Sequence, residues 1–263
     1  MTGSDTWTIT QTPGGQEILA PVQLARLFED PRIILWRDLP ERQNCFLDLP
    51  ASPRLHIKRY KPPHGKDVYA EVAAIALLAA AGIATVPLLA WGTHPDGRAF
   101  LVTADLVGYQ AADRVLATSP QPAILDRIAD LAAHLHGQHL HHQDLYLCHF
   151  FVCPAIDNPG VEAPLHLIDP GRVAKLPAFP FNIRWLVKDL AQLTYSARQA
   201  GLSSQHIRAL HHRYFAHDLP CPKWLIRLFL PLKVAAIAKH DQRIRAARPG
   251  RIVSIPSSLD PKC

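Results

Sequence analysis

The chain has 263 residues, of which 48% are hydrophobic, and carries a formal net charge of +6. This length and apolar content are typical of one two-lobed globular domain or two small ones, and they argue against a repeat array or a disordered chain. The positive charge favours anionic partners such as nucleotides, sugar phosphates, nucleic acid or an acidic membrane surface, without choosing among them.

The cysteines and the first residues indicate a cytoplasmic protein. The N-terminus lacks the basic and apolar regions of a signal peptide, and no CxxC pair occurs. We therefore expect reduced thiols. The five cysteines are Cys45, Cys148, Cys153, Cys221 and Cys263.

The first third of the chain predicts antiparallel strands. Residues 1–20 are polar and show no sustained period, so we expect a mobile N-terminal segment, with regular structure beginning near Val22. Three short runs follow at residues 33–37, 45–49 and 54–60, separated by polar or proline-containing turns. Such runs are typical of strands.

A helix and two more strands complete the predicted N-terminal lobe, residues 21–105. Apolar residues recur at helical spacing over residues 67–81, and Gly82 is placed to end that helix. Strand candidates at 85–91 and 99–103 flank the turn HPDG. The uncharged segment 72–92 is long enough to span a membrane, but Gly82 and Pro87 punctuate it, so a buried helix followed by a buried strand is the better interpretation.

Residues 106–263 predict a larger, mainly helical lobe. A helix over 123–136 leads into the histidine-rich stretch HGQHLHHQDLYLCHFFV, and two strands are expected around the turn DNPG. The remaining helices are predicted at 185–199, from a Ser203 cap to about Phe215, and over a basic amphipathic stretch from Lys223 to Arg248. The fold class is therefore α+β, with a small antiparallel sheet carrying one helix and then a helical lobe.

Four residues occur in the order that phosphoryl transfer requires. Lys58 lies in the third strand, Glu71 in the next helix, Asp144 in a loop after a long helix, and Asp169 at the end of a strand. Kinases use a lysine, a glutamate, a catalytic aspartate and a metal-binding aspartate in this order. Each residue alone is commonplace, because a lysine in a strand is usually solvated and a glutamate at a helix start usually interacts with the helix dipole. The prediction depends on the order of all four residues taken together.

The segment HQDLYLCHF, residues 142–150, resembles the catalytic loop of the lipopolysaccharide kinase (Kdo/WaaP) family, in which His-x-Asp is followed by Tyr-x-Cys-His-Phe. Four further segments resemble the family's lysine strand, glutamate helix with the next strand, metal-binding turn and first large C-lobe helix. They are LHIKRY, AEVAAIALLAAAGIATVPLLAWG, LIDPGRV and KDLAQLTYSA. The resemblance covers roughly residues 33 to 215 and implies a protein-kinase-like two-lobed fold.

The resemblance also implies roles for individual residues. Lys58 would bind the α and β phosphates of ATP and pair with Glu71. Asp144 would accept the proton of the acceptor hydroxyl. Asp169 would hold Mg²⁺, and His149 stands where protein kinases place a second metal-binding residue. Two structural supports are implied as well, namely His142, which would brace the catalytic loop, and Asp189, which would hold the backbone amides of that loop.

Departures from protein kinases favour a small acceptor. Gln143 replaces the arginine that usually precedes the catalytic aspartate, so switching by an activation-loop phosphate is not expected. Asp169 is followed by Pro170 and Gly171, no glycine-rich loop occurs among the first strands, and the segment 169–184 is short for a peptide-docking platform.

We therefore expect phosphorylation of a sugar hydroxyl, on a heptose or Kdo of a lipid-linked saccharide of the lipopolysaccharide-core type, with no nucleic-acid partner. Two alternatives stay open. One is a catalytically inactive kinase-like protein that binds a nucleotide or a partner. The other is a protein Ser/Thr or Tyr kinase.

Two further stretches have alternative interpretations. The histidine-rich run with Cys148 and Cys153 invites a transition-metal site, but its spacing fits no standard zinc pattern. The C-terminal stretch KWLIRLFLPLKVAAIAKHDQRIR, interrupted by Pro231, either packs on the helical lobe or makes a peripheral contact with the anionic inner face of the cytoplasmic membrane.

Overall fold

A computed structural model of the chain describes residues 6–50, 52–153 and 165–247. The described residues form two compact units, one within residues 6–76 and 85–107 and the other within residues 77–84 and 108–247. The first unit is built on a β-sheet, and the second is mainly helical. The turn DNPG, Arg248 and Cys263 lie outside the described residues.

The elements of the first part of the chain are the strands β1 (Thr8–Gln11), β2 (Ile34–Asp38), β3 (Arg42–Leu47), β4 (Leu55–Tyr60), β5 (Leu88–Thr93) and β6 (Ala99–Ala104), with the helices α1 (Pro13–Ile18) and α2 (Asp67–Ala80). The later helices are α3 (Ala112–Thr118), α4 (Pro122–Gly137), α5 (Ile183–Gln199), α6 (Ser204–Ala216) and α7 (Lys223–Ala247). The later strands are short: β7 (Gln110–Ala111), β8 (Leu140–His141), β9 (Phe150–Val152), β10 (His166–Leu167) and β11 (Ala174–Lys175).

The sheet of the first unit has six antiparallel strands in the order β1-β5-β6-β4-β3-β2. Side chains alternate between the two faces of a strand. In β4, Leu55 and Ile57 enter the larger apolar cluster. Tyr60 packs instead in a second cluster with Val68 of α2. Because Lys58 lies two residues before Tyr60, it shares the face of β4 that meets α2.

The expectation of a mobile segment up to residue 20 is wrong for the described part of that segment. β1 pairs with β5 along its whole length, and the Thr12 hydroxyl donates a hydrogen bond of 2.9 Å to the carbonyl of Leu88. A Cβ on Gly15 would overlap the carbonyl of Leu89, so α1 lies directly against β5. No hydrophobic period marks this segment because β1 is an exposed edge strand held mainly by backbone hydrogen bonds.

Helix α2 ends where the glycine signal predicted. Gly82 has a φ of +68°, the left-handed conformation that glycine adopts without strain. The amide of Ile83 donates to the carbonyl of Leu78 over 2.9 Å, which closes the last turn. The uncharged segment 72–92 therefore contains the end of a helix and then β5, as predicted. Within residues 6–50, 52–153 and 165–247, no helix combines the length and apolarity that a membrane span needs.

The second unit is a set of packed helices with short strands at the loops. α5 buries Leu186, Leu190 and Leu193 at helical spacing and packs against α7. α6 begins at the predicted cap, where the Ser203 hydroxyl accepts a hydrogen bond of 3.3 Å from the amide of His206. The described cysteines, Cys45, Cys148, Cys153 and Cys221, are free thiols.

The predicted interruption at Pro231 is wrong, because α7 runs through it without a break. Proline removes one helical hydrogen bond. Buried residues on both sides of the proline, Ile226, Leu230 and Val234, form one stripe along the helix. Continuous packing of this stripe keeps the two halves of α7 in line.

Candidate active site

Lys58 and Glu71 form an ion pair in the first unit. The Lys58 Nζ lies 2.5 Å from Oε1 of Glu71, and the Tyr60 hydroxyl donates to Oε2 over 2.6 Å. Glu71 is buried, whereas the Lys58 side chain is partly exposed. With both of its oxygens engaged, the Glu71 carboxylate holds the ammonium of Lys58 in one orientation.

Two short ladders in the second unit shape the predicted catalytic loop. β8 pairs with β11, with His141 opposite Ala174, and β9 pairs with β10, with Phe150 opposite Leu167. The loop between β8 and β9 contains Asp144. β10 ends shortly before the turn that starts at Asp169, and β11 begins shortly after it. Their pairing with β9 and β8 therefore brings this turn beside the loop.

Asp189 anchors the loop from α5. Its carboxylate accepts hydrogen bonds from the backbone amides of His142, over 2.6 Å, and Gln143, over 2.8 Å. Asp189 is fully buried, and Gln143 has a φ of +69°, a conformation that costs energy in a residue with a Cβ. The ionised carboxylate therefore holds a strained loop by charge-assisted hydrogen bonds.

A buried histidine and tyrosine extend this anchor. The Nε2 of His136 lies 3.3 Å from Oδ2 of Asp189, and its Nδ1 lies 2.6 Å from the Tyr214 hydroxyl. Burial raises the pKa of Tyr214 well above its ordinary value, so Tyr214 remains a donor. The chain of donors therefore runs from Tyr214 through His136 to Asp189. His136 belongs to the histidine-rich run, where the sequence suggested a metal site and not this contact, and Tyr214 lies in no motif, so only the packing of α4 and α6 reveals the pair.

Asp144 is contacted by a cation that the sequence analysis did not select. Arg172 Nη1 lies 3.1 Å from Oδ2 of Asp144, whose side chain is 28% exposed. The Gln192 amide donates to Oδ1 over 3.4 Å. The Gln143 side chain donates to the Arg172 carbonyl over 3.0 Å, which fixes the backbone of this arginine beside the loop. In the sequence, the only feature that marks Arg172 is its place at the end of the turn DPGR, and no periodicity relates it to Asp144.

His142 connects the loop to the residue before Asp169. Its Nε2–H donates to the Ile168 carbonyl over 3.1 Å. Burial and the neighbouring His149 lower the pKa of His142 to about 4, so it is neutral near pH 7. Asp169 itself has a φ of +54°, and the following residues form one 3₁₀ turn. His142 therefore links the loop that contains Asp144 to the turn that starts at Asp169.

His149 and Asp169 offer two ligands to a cation. The Nδ1 of His149 lies 2.6 Å from the backbone oxygen of Asp144, and a carbonyl can only accept, so this nitrogen carries the proton. In the neutral tautomer with this proton on Nδ1, the lone pair of the ring is on Nε2. This buried atom has no hydrogen-bond partner among the described residues and lies 4.0 Å from Oδ2 of Asp169.

This arrangement fits a magnesium ion that is completed by a ligand. Among residues 6–50, 52–153 and 165–247, no three His, Cys, Asp or Glu side chains form a metal cluster. Mg²⁺ is typically bound in proteins through one or two carboxylates and completes its shell with phosphate oxygens and water. Asp169 supplies such a carboxylate, and the Nε2 of His149 lies 4.0 Å from it.

The structure thus groups the predicted residues in two sets. Lys58 and Glu71 are paired in the first unit. The second unit brings together the other five predicted residues, which are Asp144, Asp169, His149, His142 and Asp189. The arrangement in the second unit combines a partly exposed carboxylate, a neighbouring cation and the two residues predicted to bind magnesium, Asp169 and His149. These are the groups that activate a hydroxyl and neutralise phosphate charge.

Comparisons with solved structures identify the fold. The structure described as "WaaP in complex with acyl carrier protein" matches with a TM-score of 0.63 and 22% identity, over 90% of this chain and 97% of that chain. The structure described as "Crystal structure of aminoglycoside-3'-phosphotransferase of type VIII" matches with a TM-score of 0.54 and 14% identity, over 83% of this chain and 98% of that chain. Both show a protein-kinase-like two-lobed fold, which confirms the predicted fold class.

Comparison at the sequence level identifies the family. No curated protein matches the chain. Residues 59–214 match the sequence model described as "Lipopolysaccharide kinase (Kdo/WaaP) family". The match covers more than half of the chain and contains Glu71, Asp144 and Asp169, and it starts directly after Lys58. The chain therefore belongs to the lipopolysaccharide kinase (Kdo/WaaP) family, whose members are phosphotransferases.

Proposed function

We propose that the chain transfers a phosphoryl group from ATP to a hydroxyl of a sugar in a lipopolysaccharide-core saccharide, a heptose or Kdo, in the cytoplasm. The observation that carries this proposal is the grouping around Asp144. One anchored loop presents a partly exposed carboxylate beside Arg172, and the same unit presents the Asp169 and His149 ligands. Membership of the lipopolysaccharide kinase family supports the sugar acceptor.

Lys58 and Glu71 serve the nucleotide in this proposal. The Lys58 ammonium binds the phosphates, and Glu71 keeps it in place. Asp169 and His149 hold magnesium, which when bound neutralises charge on the phosphates. The His149 ring is fixed for this task because its other nitrogen donates to the Asp144 backbone.

Asp144 serves the acceptor. Its carboxylate takes the hydroxyl proton while the oxygen of the sugar bonds to the γ-phosphorus and ADP leaves with the bridging oxygen. Arg172 lies close enough to Asp144 to stabilise negative charge at the reacting groups. The exposed side chain of Arg172 can move from the carboxylate to a phosphate without disturbing the buried anchor.

The assignment of the base is tested by phosphoryl transfer to purified core saccharides. The chain is incubated with ATP, magnesium and acceptors that carry heptose or Kdo, and the phosphorylated product is measured by mass spectrometry. We expect Asp144→Ala to lower turnover by roughly 10²- to 10⁴-fold. Asp218→Ala, at an exposed position of the same unit, is the matched control and should keep wild-type turnover. Full activity of the Asp144 variant would refute the assigned base.

The nucleotide assignment is tested by ligand-induced stabilisation. ATP with magnesium should raise the melting temperature of the wild type. Lys58→Met and Asp169→Asn should each reduce this rise, whereas Asp218→Asn, at an exposed position, should not. A full rise in either variant would remove that residue from the nucleotide assignment.

One observation favours a second candidate, a kinase-like protein that binds nucleotide without turnover. Both oxygens of Asp144 are engaged, one by Arg172 and one by Gln192, which would hinder its action as a base. Magnesium-dependent stabilisation by ATP, with no product from any saccharide or from water, would support this candidate. Turnover that depends on Asp144 would exclude it.

A further inference from the structure

Helix α7 has an exposed apolar stripe opposite its buried one. The buried stripe, Ile226, Leu230 and Val234, lies on the side of the helix that packs in the unit. On the opposite side, Trp224, Leu228 and Leu232 are 63%, 57% and 69% exposed. Their spacing of four residues places the three side chains in one row. Packing among the described residues of the unit does not account for this row, and large exposed apolar patches usually mark an interaction surface.

A groove along one flank of α7 continues this apolar row. It has a volume of about 560 Å³ and lies between α7 and the segment that leads into α5. Phe181, Phe229 and Leu232 contribute apolar surface to it, while Arg184 and Lys233 contribute positive charge. Phe181 is itself 70% exposed. The groove therefore joins the row to a second exposed aromatic side chain and to two cations.

A second groove runs along the other flank of α7. It has a volume of about 710 Å³ and is lined by residues of α5, α6 and α7. Arg198, Arg208 and Arg227 supply cations there, and Arg227 stacks over the ring of Phe215 at 4.5 Å from its centroid. Among the described lining residues of the two grooves, none is Asp or Glu. An apolar row is thus flanked by positive charge on both sides.

The charge of α7 as a whole agrees with this pattern. The helix carries six Lys or Arg residues and one acid, Asp241. Asp241 is engaged inside the unit, since it accepts a hydrogen bond from the Tyr195 hydroxyl and pairs with Arg245 over 2.7 Å. A second copy of this chain is therefore a poor occupant of the surface, because two such faces would repel each other.

We propose that this face, made of Trp224, Leu228, Leu232 and the two flanking grooves, docks on an anionic lipid bilayer. A helix with Trp, Phe and Leu on its outer side and Lys and Arg at its flanks binds in the plane of a membrane interface, with the apolar side chains among the acyl chains. The cations of the grooves meet the phosphates of anionic lipids at headgroup depth. The proposal goes beyond the phosphotransferase activity and does not depend on it.

Vesicle binding of the full chain, measured by flotation without ATP or acceptor, tests the proposal. Vesicles of phosphatidylcholine with about 30% phosphatidylglycerol should bind the wild type at least tenfold more strongly than vesicles of phosphatidylcholine alone. The triple variant Trp224→Ser, Leu228→Ser, Leu232→Ser should lose at least tenfold in partitioning to the anionic vesicles. Because all three side chains are exposed, its melting temperature should stay close to that of the wild type.

A matched control and a charge variant separate the apolar from the ionic contribution. Val107→Ser replaces a 70% exposed apolar residue of the first unit and should bind like the wild type. Arg227→Gln with Lys233→Gln should reduce binding to anionic vesicles, and added salt should weaken wild-type binding in the same direction. Tryptophan fluorescence should shift to shorter wavelength with anionic vesicles in the wild type but less in Trp224→Phe.

Three results would overturn the proposal. The first is that the wild type binds neither vesicle. The second is that light scattering shows a dimer that the triple variant abolishes, which would make this face a contact between copies of the chain. The third is that inorganic phosphate displaces the protein from vesicles and stabilises it against heat in their absence, which would assign the grooves to a soluble anion.

Discussion

Replacing Asp189 by asparagine tests whether the buried carboxylate holds the catalytic loop. In the wild type this group accepts hydrogen bonds from the amides of His142 and Gln143, at 2.6 and 2.8 Å, and from His136 at 3.3 Å. Asparagine has the same shape but only one accepting oxygen. Its NH₂ group would face a donor, so at least one backbone amide of the loop would lose its acceptor.

The expected loss of stability follows from these contacts. A hydrogen bond to a charged group contributes about 1.5–3 kcal/mol, and a buried donor left unpaired costs about 1–3 kcal/mol. We therefore expect Asp189→Asn to lower the free energy of unfolding by about 3 kcal/mol, a large share of the 5–15 kcal/mol typical of a domain. The loop should also lose its fixed geometry, so phosphoryl transfer should fall together with stability.

The dependence of this effect on pH distinguishes the carboxylate from mere packing. Burial raises the pKa of Asp189, but the hydrogen bonds and charge of His136 and the other loop contacts outweigh it, so the pKa lies below its ordinary value of 3.8. The stabilisation is then fully present above the unfolded pKa of about 3.9 and is lost as the pH falls through the lower folded pKa. The stability difference between wild type and Asp189→Asn should therefore be constant near neutral pH and shrink below about pH 4.

Urea denaturation at several pH values measures this difference. Asp218→Asn, at an exposed position of the same unit, is the control and should change stability by less than about 0.5 kcal/mol. An Asp189→Asn variant as stable as the control, or a stability difference that does not shrink in acid, would show that the loop does not depend on this charge.

Three further predictions concern other parts of the chain. Arg172→Ala should lower kcat by about 10- to 100-fold with little change in the KM of the saccharide, because the charge of Arg172 lies beside the reacting groups. Arg172→Lys should recover part of the lost kcat. An unchanged kcat in Arg172→Ala would remove Arg172 from the mechanism. Gly15→Ala should lower stability by about 1–3 kcal/mol in thermal denaturation, because the added Cβ would overlap a carbonyl of β5. Gly14→Ala should not lower stability, because its added methyl group meets open space. Equal effects of the two glycine variants would contradict the close packing of α1. Desolvation raises the pKa of the half-buried Cys148 thiol to about 12, so a thiol reagent at pH 8 should modify Cys148 much more slowly in the native protein than after unfolding, as peptide mass spectrometry would show. Rapid labelling of the native protein would contradict this raised pKa.

Local patterns in the sequence predicted most of the long elements. Apolar residues at helical spacing and the glycine after them located α2, and the serine cap located the start of α6. The three strands β2, β3 and β4 were found from alternation and turns, with small errors at their ends. These signals are predictive because they depend on residues that are neighbours in the sequence.

Elements that depend on distant partners were missed. β1 is a polar edge strand whose stability comes from pairing with β5, and β8 and β11 are two-residue strands that exist only as a pair. The predicted interruption of α7 at Pro231 was also wrong, because the packing of a buried stripe on both sides of the proline outweighs the lost hydrogen bond.

The sequence by itself determined the family and the order of the candidate residues Lys58, Glu71, Asp144 and Asp169, because residue types and their spacing in a motif are properties of the chain. Only the tertiary structure decided which groups surround Asp144 and which face of α7 stays exposed. Arg172 reaches Asp144 through the short β8–β11 ladder, and Tyr214 reaches Asp189 through His136. Such contacts join residues far apart in the chain, so no local pattern predicts them.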